Sequence, residues 1–230
     1  MRLKTICTLL LLATISMPMV CGQETAEEWL EEGNSLYIQG DYDGAISAFD
    51  EAINIDPEYA LAWNNKGNVL NFQGNYDDAI SAFDEAINLD PEFAMAWNNK
   101  GIAYYYQGEY DEAISAYEEA ISLDSGYADA WNNKGNALYS LGDYDEAISA
   151  YEEAINLDPE MATAWYNKGN ALCSLEDYDG AVQAYDEAID LYPEYAYAWN
   201  NKGIALEALG KTSEAEEAYD RAQELWSGED

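Results

Sequence analysis

Apolar and small residues return along this chain every 34 positions, with polar residues at fixed places between them. Trp29, Trp63, Trp97, Trp131, Trp165 and Trp199 keep that spacing, and so do Gly33, Gly67, Gly101, Gly135, Gly169 and Gly203. Alanine keeps it at several places, among them from Ala45 to Ala215 and from Ala52 to Ala222. With the Trp numbered position 4, six units start at Ala26, Ala60, Ala94, Ala128, Ala162 and Ala196. They fill residues 23–230 as a single array. A period of this length marks a supersecondary unit that is stable only when stacked on its copies.

Each unit reads as two helices. In the fourth, residues 128–141 are rich in good helix formers and stop at Gly142, a residue suited to a helix end. The polar turn Asp143-Tyr144 leads to a second helix predicted over Glu146 to Leu157, and Pro159 blocks its continuation. Small residues at positions 8, 20 and 27 let the helices approach, while Trp, Tyr and Leu fill the space around them. The sixth unit differs at two apolar positions. Ile or Val at position 21 becomes Glu216, and Ile at position 28 becomes Gln223. The unit with no successor is therefore expected to cap the stack itself.

On these residues the chain resembles the tetratricopeptide repeat, which has a bulky residue at 4, Gly or Ala at 8, Ala at 20 and 27, an aromatic at 24 and Pro at 32. Position 24 is Phe49, Phe83, Tyr117, Tyr151, Tyr185 and Tyr219; position 32 is Pro57, Pro91, Pro159 and Pro193, with Ser125 and Ser227 departing. The resemblance covers residues 26–229. It implies an all-α fold, a right-handed superhelical solenoid of antiparallel helix pairs whose concave groove binds partner proteins. The recurring Trp-Asn-Asn-Lys-Gly phrase is also similar to acidic repeat proteins of archaea.

On a wheel of about 100° per residue, positions 4, 8 and 11 of the first helix face its partner, and positions 2, 5, 6, 9, 12 and 13 share an arc on the far side. The resemblance implies that this arc lines the groove. Position 6 holds Asn65, Asn99, Asn133, Asn167 and Asn201. Position 5 adds Asn64, Asn98, Asn132 and Asn200; position 9 adds Asn34, Asn68, Asn136 and Asn170. A primary amide offers a donor and an acceptor, which suits the main chain of an extended peptide. The row is similar to the groove asparagines of the tetratricopeptide superhelix of O-GlcNAc transferase, and that similarity implies a grip on peptide backbone. The same amides have a second reading, as groups that bond to the next helix or keep the groove wet. Tyr105, Tyr106, Tyr139, Tyr166 and Tyr197, with Phe72, Ile102 and Met95 nearby, add contact area, or else pack between repeats. Family members that clamp a C-terminal carboxylate carry Lys or Arg at positions 2, 5 and 6. No basic residue stands there in this chain, so that ligand is not expected.

The recurrent basic residue, Lys66, Lys100, Lys134, Lys168 and Lys202, stands at position 7 instead, turned toward the helix seam. A charge there is costly unless it is paired or reaches water. Glu51, Glu85, Glu119, Glu153 and Glu187, at position 26 of the preceding unit, are the expected partners, and a partner at position 25 is the rival. The last unit, with no Lys to follow, has Arg221 at position 26, and the first, with no preceding Glu, has Glu32 at position 7.

Charge narrows the partners further. There are 46 acidic residues against 9 Lys and Arg, a net charge of −37, which repels nucleic acid and anionic lipid. The chain has no His, and Cys173 is the one thiol beyond the leader. No nucleophile–base pair or metal-ligand set stands out, so neither an enzyme nor a metal or cofactor site is expected. The Asp-Tyr-Asp turns lack the ligand spacing of a calcium loop. Residues 1–22 have a basic start, an apolar run from Ile6 to Val20 and the end Val20-Cys21-Gly22. Three readings follow: a secretory signal cleaved after Gly22, a lipoprotein-type signal modified at Cys21, or an uncleaved anchor. The expected protein is an exported scaffold, extracytoplasmic or at the cell envelope. It binds an extended peptide or a partner protein, and a self-associating structural array is the alternative.

Overall fold

The computed structural model describes residues 24–228, so the leader, residues 1–22, lies outside the described residues. Two helices form in each unit. The first helices are α1 (Ala26–Gln39), α3 (Ala60–Phe72), α5 (Ala94–Gln107), α7 (Ala128–Leu141), α9 (Ala162–Ser174) and α11 (Ala196–Ala208). The second helices are α2 (Tyr42–Ile55), α4 (Tyr76–Leu89), α6 (Tyr110–Leu123), α8 (Tyr144–Leu157), α10 (Tyr178–Leu191) and α12 (Thr212–Ser227). The first helix of the fourth unit has the bounds its sequence predicts. The second starts at Tyr144, two residues ahead of the expected Glu146. An acid follows the Tyr in five of the six second helices and complements the positive N-terminal end of the helix.

The turn between the two helices needs a left-handed residue. Glycine supplies it in most units, as at Gly142 with φ 89°, but in the fifth the place is taken by Glu176 at φ 62°. Holding a side chain in that conformation costs about 1–2 kcal/mol, part of which glycine returns through its freer unfolded chain. Glu176→Gly is therefore expected to raise stability by about 0.5–1 kcal/mol, measured by urea denaturation, and Gly142→Glu to lower it by a similar amount.

Between units, Asp56, Asp90, Asp124 and Asp158 each accept the backbone N–H two residues on, which fixes the turn into the next first helix. Trp63, Trp165 and Trp199 donate Nε1–H to the carbonyl of Pro57, Pro159 and Pro193 at 3.0–3.3 Å. The Pro thus ends one unit and orients the indole of the next. At the centre of each pair the position-24 ring lies over the position-8 glycine. An added Cβ at Gly135 would come within 2.5 Å of the Tyr151 ring. Ala45, Ala52 and their equivalents are buried around it.

Successive first helices touch one another, α1 with α3, α3 with α5 and so on, whereas no such contact joins successive second helices among the described residues. A stack with one row in contact and the other splayed bends toward the row in contact. The first helices therefore form the floor of the concave face. On the last unit Glu216 and Gln223 are exposed, where their counterparts in earlier units meet the next repeat.

The lysines correct the sequence expectation. Lys66, Lys100, Lys134, Lys168 and Lys202 bond not to Glu51, Glu85, Glu119, Glu153 and Glu187 but to Asp50, Asp84, Glu118, Glu152 and Asp186, at 2.5–2.8 Å. Position 25 lies one turn beyond the position-21 residue that packs on the next unit, while position 26 is rotated about 100° away and its five Glu are all exposed. Each ammonium also sits 5.1–5.6 Å from the ring of the Trp three residues before it, a cation–π contact that offsets part of its desolvation. Arg221 pairs with Glu224.

Candidate peptide-binding groove

Because position 6 falls on the concave side of each first helix, Asn65, Asn99, Asn133, Asn167 and Asn201 form a row across α3, α5, α7, α9 and α11. All five are half-buried. Each turns its Nδ2 back to the preceding unit: Asn65 to Asn34 Oδ1, Asn99 to Asn64 Oδ1 and Asn133 to Asn98 Oδ1, all at 3.0 Å. Asn167 donates to Asn132 and Asn136, and Asn201 to Tyr166 and Asn170. The reading in which the asparagines bond to the next helix thus holds for these donors. The row is a hydrogen-bonded amide chain that links the units.

This pairing sorts the candidate residues. Asn64 and Asn98 are buried, 0% and 4% exposed, and serve as acceptors out of a ligand's reach. Asn132 and Asn200 remain half-buried beside them. At position 9, Asn136 and Asn170 use Oδ1 twice, accepting from Asn167 and Asn201 and from the phenols of Tyr151 and Tyr185 at 2.9 Å. Among the described residues, Asn68 has no hydrogen-bond partner. What the groove offers a ligand is therefore Oδ1 of Asn133 and Asn167 as acceptors, Nδ2 of Asn136 and Asn170 as donors, and both ends of Asn68. That set matches the alternating N–H and C=O of an extended main chain.

The tyrosines divide in the same way. Tyr105 and Tyr139 lean on Tyr110 and Tyr144 with ring centroids 5.4 and 5.3 Å apart, and their phenol oxygens accept from Ser140 and Ser174 of the following unit. Tyr166 packs on Tyr195 at 4.9 Å. These three tie units together. Tyr106 is different: it is 62% exposed and stacks on Tyr76 at 5.8 Å.

Three clefts follow the row. The largest, about 560 Å³, opens across the first three units between Tyr37, Asn65, Asn68, Phe72, Tyr76 and Tyr106. The buried Oδ1 of Asn71 at its wall has no partner. A cleft of about 140 Å³ lies at Ile102, Asn133 and Asn136, and another of about 240 Å³ at Tyr139, Asn170 and Asn201. Sequence reasoning missed Tyr37 and Tyr76. The signal for Tyr37 was its place at position 12, shared with Tyr105 and Tyr139; that for Tyr76 was the Tyr that recurs at position 17, Tyr42, Tyr76, Tyr110, Tyr144 and Tyr178, which reads as part of a turn.

Burial pushes the phenols of Tyr117, Tyr151 and Tyr185 well above the ordinary tyrosine range, so they stay neutral, and Tyr151 and Tyr185 keep their donor role. Burial also pushes the Cys173 thiol up, against the opposing pull of its hydrogen bond from Tyr185, so it is not an activated nucleophile.

The family model described as tetratricopeptide repeat matches residues 30–92, 72–128, 98–162, 132–193 and 166–230. Among solved structures, one of the MamA protein is 31% identical, over 75% of this chain and 94% of that chain, with a TM-score of 0.64. YrrB, described as a TPR protein with an unusual peptide-binding site, is 25% identical over 77% of this chain and 92% of that one, with a TM-score of 0.62. PilF of Pseudomonas aeruginosa, 20% identical over 88% and 92%, has a TM-score of 0.77 and shares the fold. No curated protein sequence matches this one.

Proposed function

This chain belongs to the tetratricopeptide repeat family, and from that premise we propose that it is an exported scaffold whose concave groove holds an extended peptide, or the extended segment of a partner protein, by its main chain. One observation carries the reading: unspent amide groups of Asn68, Asn133, Asn136 and Asn170 line the three clefts, and that of Asn167 stands in the same row. An amide at a constant repeat spacing suits main chain, which has a repeat of its own, better than it suits any one side chain. The peptide-binding site named for YrrB supports the same use of the fold. Export rests on the basic and apolar leader.

A peptide-array screen comparing the parent with Asn99→Ala/Asn133→Ala/Asn167→Ala tests this. Binding is expected to fall at least about tenfold, the worth of one or two hydrogen bonds. Those three side chains also link repeats, so Asn68→Ala is measured beside them. That residue has no protein partner to lose, and its removal is expected to weaken binding about threefold with the melting curve unchanged. Unchanged binding in both variants would reject the groove as the contact surface.

A further inference from the structure

The amide row runs the length of the array, but the aromatic cleft does not. At positions 13 and 14 the second and third units have Phe72-Gln73 and Tyr106-Gln107, whereas the fourth and fifth have Ser140-Leu141 and Ser174-Leu175. In the first half of the groove this produces the same arrangement twice. Phe72 lies on Tyr42 at 4.9 Å, and the amide of Gln73 beside it donates to Asp43 at 3.1 Å. Tyr106 lies on Tyr76 at 5.8 Å, and the amide of Gln107 donates to Asp77 at 2.7 Å. Phe72 and Tyr106 are 63% and 62% exposed. Asp43 and Asp77 are exposed too, and among the described residues their side chains are met by a neutral amide, unlike Asp50 and Asp84, which hold a lysine.

We propose that the cleft formed by Tyr37, Phe72, Tyr76 and Tyr106, together with Asp43 and Asp77, which are held by the Gln that follows Phe72 and the Gln that follows Tyr106, takes a cationic side chain, an arginine or lysine of the extended partner. The proposal rests on the groove reading above and names the chemistry of that partner. An open aromatic face attracts a cation through its negative π cloud, and a carboxylate next to it supplies the countercharge. Neither feature alone selects a cation over an apolar group; the two together do. The surrounding field acts in the same direction, because a chain of net charge −37 draws basic segments toward it and repels acidic ones. Because the cleft occupies one half of the array, a bound segment has a defined place for its cation while the amides beyond hold main chain of any sequence.

The test uses two dye-labelled dodecapeptides of glycine, serine and leucine, one with a central arginine and the other with citrulline, its neutral isostere, at that place. Fluorescence anisotropy with the full chain is expected to show the arginine peptide binding about tenfold tighter, as one partly desolvated cation–π contact gives. The preference is expected to vanish in Phe72→Ala/Tyr106→Ala, whose side chains are exposed and whose loss leaves the core intact. It is expected to shrink in Asp77→Asn and to persist in Asp145→Asn, which removes the same charge at the same position of the fourth unit. Equal affinity for the two peptides in the parent, with binding still lost in the triple asparagine variant, would overturn the cation site and leave the groove reading standing. An equal loss of preference in Asp145→Asn would also overturn it, by reducing the effect to net charge. If neither peptide binds, the groove reading falls and the cation site with it.

Discussion

Tyr151→Ala is expected to cost about 3–5 kcal/mol, the usual loss for emptying a buried aromatic site. The ring is 1% exposed, lies on Gly135 in the centre of the fourth unit, and donates its phenol to Asn136. Gly135→Ala is expected to cost about 1–3 kcal/mol by the opposite mechanism, since its new Cβ would sit 2.5 Å from a ring with no room to retreat. Alanine's better helix propensity returns up to about 1 kcal/mol of that. In the double variant the added methyl enters the vacated space, so the two losses add to less than their sum. Urea denaturation of the two single variants and the double one checks all three. Additive losses would show that the glycine and the ring are not packed against each other.

Raising the pH above 10 is expected to unfold the array steeply. Burial holds Tyr117, Tyr151 and Tyr185 protonated far above the ordinary tyrosine value, and Tyr195 is pushed up to about 12. Below pH 10 the phenols are neutral in folded and unfolded chains alike, and stability is complete. Above it the unfolded chain releases protons that the folded chain keeps, and stability falls by about 1.4 kcal/mol per pH unit for each buried tyrosine. Three such groups together remove about 4 kcal/mol per unit, enough to consume a typical domain's stability within two or three units. Phenolate absorbance and circular dichroism, followed together, should change in one step for these residues. Tyr151→Phe should make the slope shallower by about a third. Smooth ionisation of all tyrosines with the helices intact would contradict the burial described here.

The repeat, the helix pairs and the concave face were legible because the signals are positional: a Trp, a Gly and two Ala at one spacing leave few ways to pack. The lysine partner was legible only to within one residue. Asp50 and Glu51 are both acidic, so charge does not separate them, and the decision rests on a 100° difference in helix phase. The amide row was legible in direction but not in use. A wheel shows that Asn99 points away from the seam; that it reaches Asn64 on the preceding first helix depends on how closely those helices approach. The aromatic cleft was the least legible part. Phe72 and Tyr106 meet Tyr42 and Tyr76 of the preceding unit, and each sits at a position that reads singly as groove or loop.

The account turns on whether the unspent amides of the concave face touch the bound chain. Side-chain amide resonances of Asn68, Asn136 and Asn170, followed by ¹⁵N–¹H correlation spectra during titration with the arginine dodecapeptide, report that directly. The account predicts that these three pairs of N–H signals move together along one saturable curve, while the indole signals of Trp63, Trp165 and Trp199, bonded to their prolines, stay in place. Saturable binding that moves the indoles and leaves the asparagine amides still would contradict it.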